Sequence, residues 1–154
     1  MTALPKAYKA LDDFRLALRV LEDEDRPEVR RVLYFGIILL LRTIGDLLSK
    51  HGSESEKKKF AHLRRLWDEL PAGESVYKFL VDERNFLAHE YVPSHSDEQP
   101  QFLSVIENDV VIELSVEVST DLYWPVQRPP FEGEDARDVV ARCIDWWDSQ
   151  LKLF

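Results

Sequence analysis

The run from Val32 to Leu41 holds ten residues without a charge, set between Arg31 and Arg42. A membrane-spanning helix needs about 20 apolar residues, so this run reads as a buried helix of a folded domain. At the helical repeat its apolar side chains point in every direction. Such a helix belongs at the centre of a fold, covered on all sides. The rest of the chain must then supply the cover.

Further segments carry the matching pattern. Leu4, Tyr8, Leu11, Phe14, Leu18 and Leu21 recur at steps of three and four, which predicts a helix from about Pro5 to Glu24. Pro27 can open the central helix, which extends to about Lys50 and stops at His51-Gly52-Ser53. Gly36 and Gly45 lower its propensity and would admit a close neighbour. A third helix, capped by Ser53 or Ser55, buries Phe60, Leu63, Leu66, Trp67 and Leu70, and Pro71-Ala72-Gly73 ends it. A fourth runs from about Glu74 to Tyr91 with Val76, Phe79, Leu80 and Phe86 as apolar positions. After a polar loop, Phe102–Ile106 and Val110–Val118 are rich in β-branched residues around Glu107-Asn108-Asp109, the signature of a hairpin. Trp124 to Gly133, with three prolines, reads as irregular. A last helix from about Asp135 to Leu153 buries Val139, Val140, Cys143, Ile144, Trp147 and Leu151. The fold class is mainly α: an up-and-down bundle of four or five helices, with a small β-hairpin insertion before the last. It forms one domain over residues 1–154, with the insertion at about 100–133.

A chain of 154 residues, 45% hydrophobic, can close a core without a metal or disulfide staple. Its one cysteine, Cys143, sits on an apolar stripe and forms no intramolecular disulfide, which suits a reducing compartment. No apolar signal segment follows Met1, so the expected location is cytoplasmic, with no membrane partner. The net charge of −9 excludes a surface that attracts nucleic acid as a whole. Nucleic-acid binding must rest on a local site. Arg30-Arg31, Lys57-Lys58-Lys59 and Arg64-Arg65 are candidates, each equally readable as a solvated helix face. Trp124 and Trp146-Trp147 could stack on bases, although Trp147 reads as core and Trp146 as a dimer contact.

The chemically distinctive stretch is Arg84 to Tyr91. Asn85 and His89 lie one turn apart on one helical stripe, and Arg84 and Tyr91 share the stripe beside it. Arginine offers a charged fork that matches a phosphate. Histidine exchanges a proton near neutral pH. Asparagine can orient either group. Together they suit a phosphodiester, with His89 as acid or base and Arg84 stabilising charge on phosphoryl oxygens. No carboxylate or thiol cluster has metal-ligand spacing, so neither metal nor cofactor is expected. A polar helix end, with Arg84 paired to Glu83 or Glu90, is the plain structural alternative. His51, His62 and His95 have no partner spacing that suggests chemistry.

Arg84-Asn85-Phe86-Leu87-Ala88-His89 resembles the motif of the HEPN superfamily, an Arg followed after four to six residues by a His, commonly with a polar residue after the Arg. The resemblance implies a helical bundle and a metal-independent endoribonuclease. It implies a homodimer in which two motifs face one cleft, where the ribose 2′-hydroxyl attacks the adjacent phosphate. Catalytic roles then fall to Arg84, Asn85 and His89. Arg84-x4-His89-Glu90-Tyr91 also resembles the Arg-x4-His-x-Tyr pattern of HepT toxins, which are paired with a nucleotidyltransferase antitoxin that adds AMP to the Tyr. By position, Tyr91 would be the modified residue. RNA, a second copy of the chain and a nucleotidyltransferase antitoxin are thus the implied partners. A non-catalytic HEPN-like module, binding a nucleotide or a nucleotidyltransferase, is the rival reading. A third is an assembly protein whose motif stabilises a dimer.

Overall fold

The starts and stops of the helices follow from local chemistry. The computed structural model describes residues 2–89, 101–107, 110–116 and 124–154. Helix α1 spans Leu4–Asp23 and α2 spans Pro27–Leu41, each with proline in its first turn, where no N–H is missed. Helix α3 covers Thr43–His51, α4 Glu54–Glu69, α5 Val76–His89 and α6 Ala136–Leu151. Between α5 and α6, strands β1 (Gln101–Glu107) and β2 (Val110–Val116) pair antiparallel, with Gln101 opposite Val116 and Glu107 opposite Val110. The turn residues Asn108 and Asp109 lie outside the described residues, as do Glu90 and Tyr91. Among the described residues the architecture is a mainly helical bundle.

Ser53 caps α4 in a reciprocal box: its hydroxyl accepts from the Glu56 N–H at 3.3 Å, and Glu56 Oε2 accepts from the Ser53 N–H at 2.6 Å. Glu56 also accepts the N–H groups of Ala3 and Leu4, at 3.2 and 3.1 Å. One carboxylate therefore caps two helices and ties the start of α1 to the start of α4. Burial would raise its pKa, but these backbone and hydroxyl donors outweigh burial and hold it below the ordinary value. Helix α1 packs most extensively against α6, and Arg15 pairs with Asp148 across them at 3.0 Å. The core joins Leu11 and Leu21 of α1, Tyr34, Ile38 and Leu41 of α2, Ile44 and Leu48 of α3, and Val139, Cys143 and Trp147 of α6. Cys143 is fully buried, and burial pushes its thiol well above the ordinary range.

Several expectations need correction. The central helix itself runs as expected over Pro27–His51, with only a local irregularity at Arg42, whose backbone stays helical, dividing α2 from α3. But α2 is not covered all round: Val32 is 58% exposed, Leu40 54% and Leu39 38%. Gly36 lies among them, and a Cβ there would meet nothing within 4 Å, so this glycine admits no neighbour within the chain. Gly45 does, since a Cβ would sit 3.1 Å from the Phe60 ring. The stretch Pro27–His51 is long and apolar enough, at mean hydropathy 1.8, to cross a membrane by length and composition alone, with 44% of that window buried in the bundle. On α4, Leu66 and Leu70 are exposed rather than buried. Residues 124–133 are no surface insertion: Trp124, Val126 and Phe131 enter the core. That segment is fastened to α6, because Asp135 caps the helix at Arg137 N–H (2.9 Å) and accepts from the Trp124 N–H (3.0 Å).

The double cap makes stability depend on pH. A carboxylate held below its ordinary pKa stabilises the fold above about 4.3, the unfolded value, and the contribution fades as pH falls through the lowered folded value. Glu56→Gln should lose about 1.5–3 kcal/mol at neutral pH. In denaturant melts the gap to wild type should narrow below about pH 4.

Candidate functional site

Helix α5 buries Tyr77, Phe79, Leu80, Glu83 and Leu87, with Glu83 set among Phe79, Leu80 and Leu87. A carboxylate among three apolar side chains must find partners inside the protein. Glu83 has no exposed surface. The Tyr34 hydroxyl of α2 donates to its Oε1 at 2.9 Å, and the Arg128 guanidinium lies 3.3 Å from its Oε2. Arg128 also sits over the Phe86 ring, 3.5 Å from the centroid. Beside them Arg30 is buried against Trp124, 4.7 Å from the ring centroid, and donates to the Asp25 carbonyl at 3.3 Å. These contacts join α2, α5 and the 124–133 segment through charged and aromatic groups.

This anchoring sets the rotation of α5. With Glu83 inward, the helical repeat turns Asn85 and His89 by well over 90° from the core. Arg84 and Asn85 are half-buried, and His89 is exposed at the end of the helix. Arg84 Nη1 donates to Asn85 Oδ1 at 3.1 Å. The structure thus brings Arg84 and Asn85 into contact, while His89 stands one turn on from Asn85 with no hydrogen bond to either among the described residues. Asn85 steadies the guanidinium rather than the imidazole in this state. The expected pairing of Arg84 with Glu83 does not occur, because Glu83 faces the core. Glu90, its other suggested acid, and Tyr91, the implied AMP acceptor, lie outside the described residues.

The chemistry open to this end of α5 is that of a half-buried cation held by Asn85 and, five residues on, an exposed imidazole. One of the other suggestions fails on burial. Trp124 is fully buried against Arg30 and offers no face to a base. Trp146 packs against Trp67 at 4.9 Å, and Trp147 is core as expected. Of the basic clusters, Lys57 pairs with Glu54 and Arg64 with Asp68, whereas Arg30 is internal. No group of His, Cys, Asp and Glu suited to a metal ion occurs among the described residues. Sequence reasoning missed the Glu83, Arg128, Tyr34 and Arg30 network. Its signal was present: Glu83 and Arg30 each interrupt an apolar helical stripe with a charge. No family model matches the chain, and neither curated proteins nor solved structures match it.

Removing one partner of a buried charge exposes its desolvation cost. Tyr34→Phe should lower unfolding free energy by about 1.5–3 kcal/mol, the worth of a hydrogen bond to a charged group. Its far-ultraviolet circular dichroism should match wild type, since no side-chain volume beyond the hydroxyl is lost.

Proposed function

We propose that this protein is a metal-independent endoribonuclease of the HEPN type, acting as a toxin or defence component in the cytoplasm. The observation that carries the reading is the outward-facing set at the end of α5, with Arg84 steadied by Asn85 and His89 exposed one turn beyond. The bundle would then be the up-and-down HEPN-like one, with the paired strands as its insertion. In the proposed reaction Arg84 binds the non-bridging oxygens of the scissile phosphate. The ribose 2′-oxygen forms a bond to phosphorus as the bond to the 5′-oxygen breaks. The 2′-hydroxyl proton passes to the His89 imidazole, and the leaving 5′-oxygen takes a proton from the His89 of a second copy. The products are a 2′,3′-cyclic phosphate and a 5′-hydroxyl, with no net redox change.

A homodimer suits the uncovered face of α2. Burying Val32, Leu39 and Leu40 against a second copy would gain about 1.5–3 kcal/mol for each side chain, less what their present part-burial already supplies. Gly36, open in the single chain, would let that copy come close. The rival reading is a non-catalytic module that binds a nucleotide or a nucleotidyltransferase partner. The acidic charge of −9 favours it. In the toxin reading Tyr91 is the residue that a nucleotidyltransferase antitoxin would silence with AMP.

His89→Ala should abolish cleavage of labelled single-stranded RNA in EDTA, by about 100-fold or more, with an unchanged melting temperature. Equal cutting by the variant would refute the assignment. Leu40→Glu should dissociate the dimer in analytical ultracentrifugation and reduce cleavage in parallel. Full activity from a monomer would contradict the shared cleft.

A further inference from the structure

A recess with two arginines in its lining lies beside α5, on the N-terminal side of Arg84. Tyr77 is seven residues before Arg84, two helical turns, so both occupy one stripe about 10 Å apart along the axis. Tyr77 lines this small open recess of about 40 Å³ between α3, α4, α5 and α6. Arg42 and Arg64 form its cationic wall, and Gly45 and the buried Trp147 contribute to its lining. Glycine matters there because a side chain at position 45 would press on Phe60 and reduce the space.

The polar groups of the recess are poised rather than satisfied. Tyr77 is 8% exposed, yet its hydroxyl makes no hydrogen bond among the described residues. Burial holds its phenol above the ordinary value; the charges of Arg64 and Arg42 pull it down and those of Asp68 and Asp46 push it up, so two guanidinium groups and two carboxylates all act on that oxygen. Arg42 forms no ion pair among the described residues. Arg64 reaches Asp68 only at 3.7 Å, with both side chains more than half exposed. The acid that lines the recess, Asp46, is neutralised in part by Lys50 at 3.4 Å. Two guanidinium groups and a phenolic hydroxyl that line one opening suit a tetrahedral oxyanion.

We propose that this recess is a second phosphate subsite for the RNA strand, in which Arg42, Arg64 and Tyr77 hold a backbone phosphate near the one placed at Arg84 and His89. The inference rests on the ribonuclease reading, and it explains how a chain of charge −9 can bind a polyanion locally. Two phosphates gripped along one helix face would fix the direction and slack of a single strand across the cut site.

The test is equilibrium binding of a single-stranded oligonucleotide with a 2′-deoxy nucleotide at each position, so that it cannot be cut, over a series of salt concentrations. Arg42→Gln should weaken binding about 10-fold at low salt and reduce the slope of log affinity against log salt by about 0.7, one phosphate contact to a single strand. Tyr77→Phe should weaken binding without changing that slope, because it removes a neutral donor. Thermal melts confirm that both variants fold. If wild type and Arg84→Ala differ in binding while Arg42→Gln keeps both wild-type affinity and slope, the subsite is wrong and the reading of α5 stands. If wild type binds no oligonucleotide, both are wrong.

Discussion

A carboxylate with no exposed surface, Glu83, decides how α5 sits in the bundle. Uncompensated, it would cost several kcal/mol to bury. Tyr34 from α2 and Arg128 from the segment before α6 meet it instead. The three contributors come from separate parts of the chain, so the network closes only when helix, helix and segment are all docked. It also sets which side of α5 faces the core. Once Glu83 is inside, Asn85 and His89 are turned to the outer side, with half-buried Arg84 at its edge. The buried pair therefore serves the surface site by positioning it, and the residue that anchors the helix is the neighbour of the residue assigned to the phosphate.

The same helix pair explains the uneven cover of the core. Helix α5 runs antiparallel to α2, since Glu83 meets Tyr34 while the earlier Tyr77 lines the recess beside Arg42. Helix α2 thus spends one face on α1, α5 and α6 and leaves Val32, Leu39 and Leu40 to the outside. An apolar face of this kind, interrupted by a glycine with open space around it, marks a contact surface more readily than a solvated one. It supports the proposed second copy, because two sites of charge-bearing side chains could then share one strand of RNA.

Much of this was legible in the residues. The helix of α1, the Ser53 cap and the buried stripe of α6 follow from period, capping and proline rules, which act locally. The shared stripe of Asn85 and His89 follows from helical spacing, but which way that stripe faces is set by Glu83. What sequence could not supply was contact between distant segments. Arg128 lies among three prolines and reads as loop, yet it reaches Glu83 because Trp124, Val126 and Phe131 draw that loop into the core. Arg30 reads as part of a basic pair on a solvated face, but its position on the stripe of Tyr34 and Ile38 places it inside. The apolar run of α2 misled for the opposite reason: hydrophobicity all round a helix states what would prefer cover, not what one chain can provide.

The central claim is that the outer end of α5 takes an RNA phosphodiester. The most direct measurement is nuclear magnetic resonance of the full chain, following the His89 imidazole and the Arg84 side-chain N–H signals while a 2′-deoxy-substituted, cut-resistant single strand is added. The account predicts that both sets of signals shift together and saturate at one affinity, with the Tyr34 and Glu83 environment undisturbed. Saturating strand binding that leaves His89 and Arg84 unmoved, with shifts confined to another face of the bundle, would contradict it.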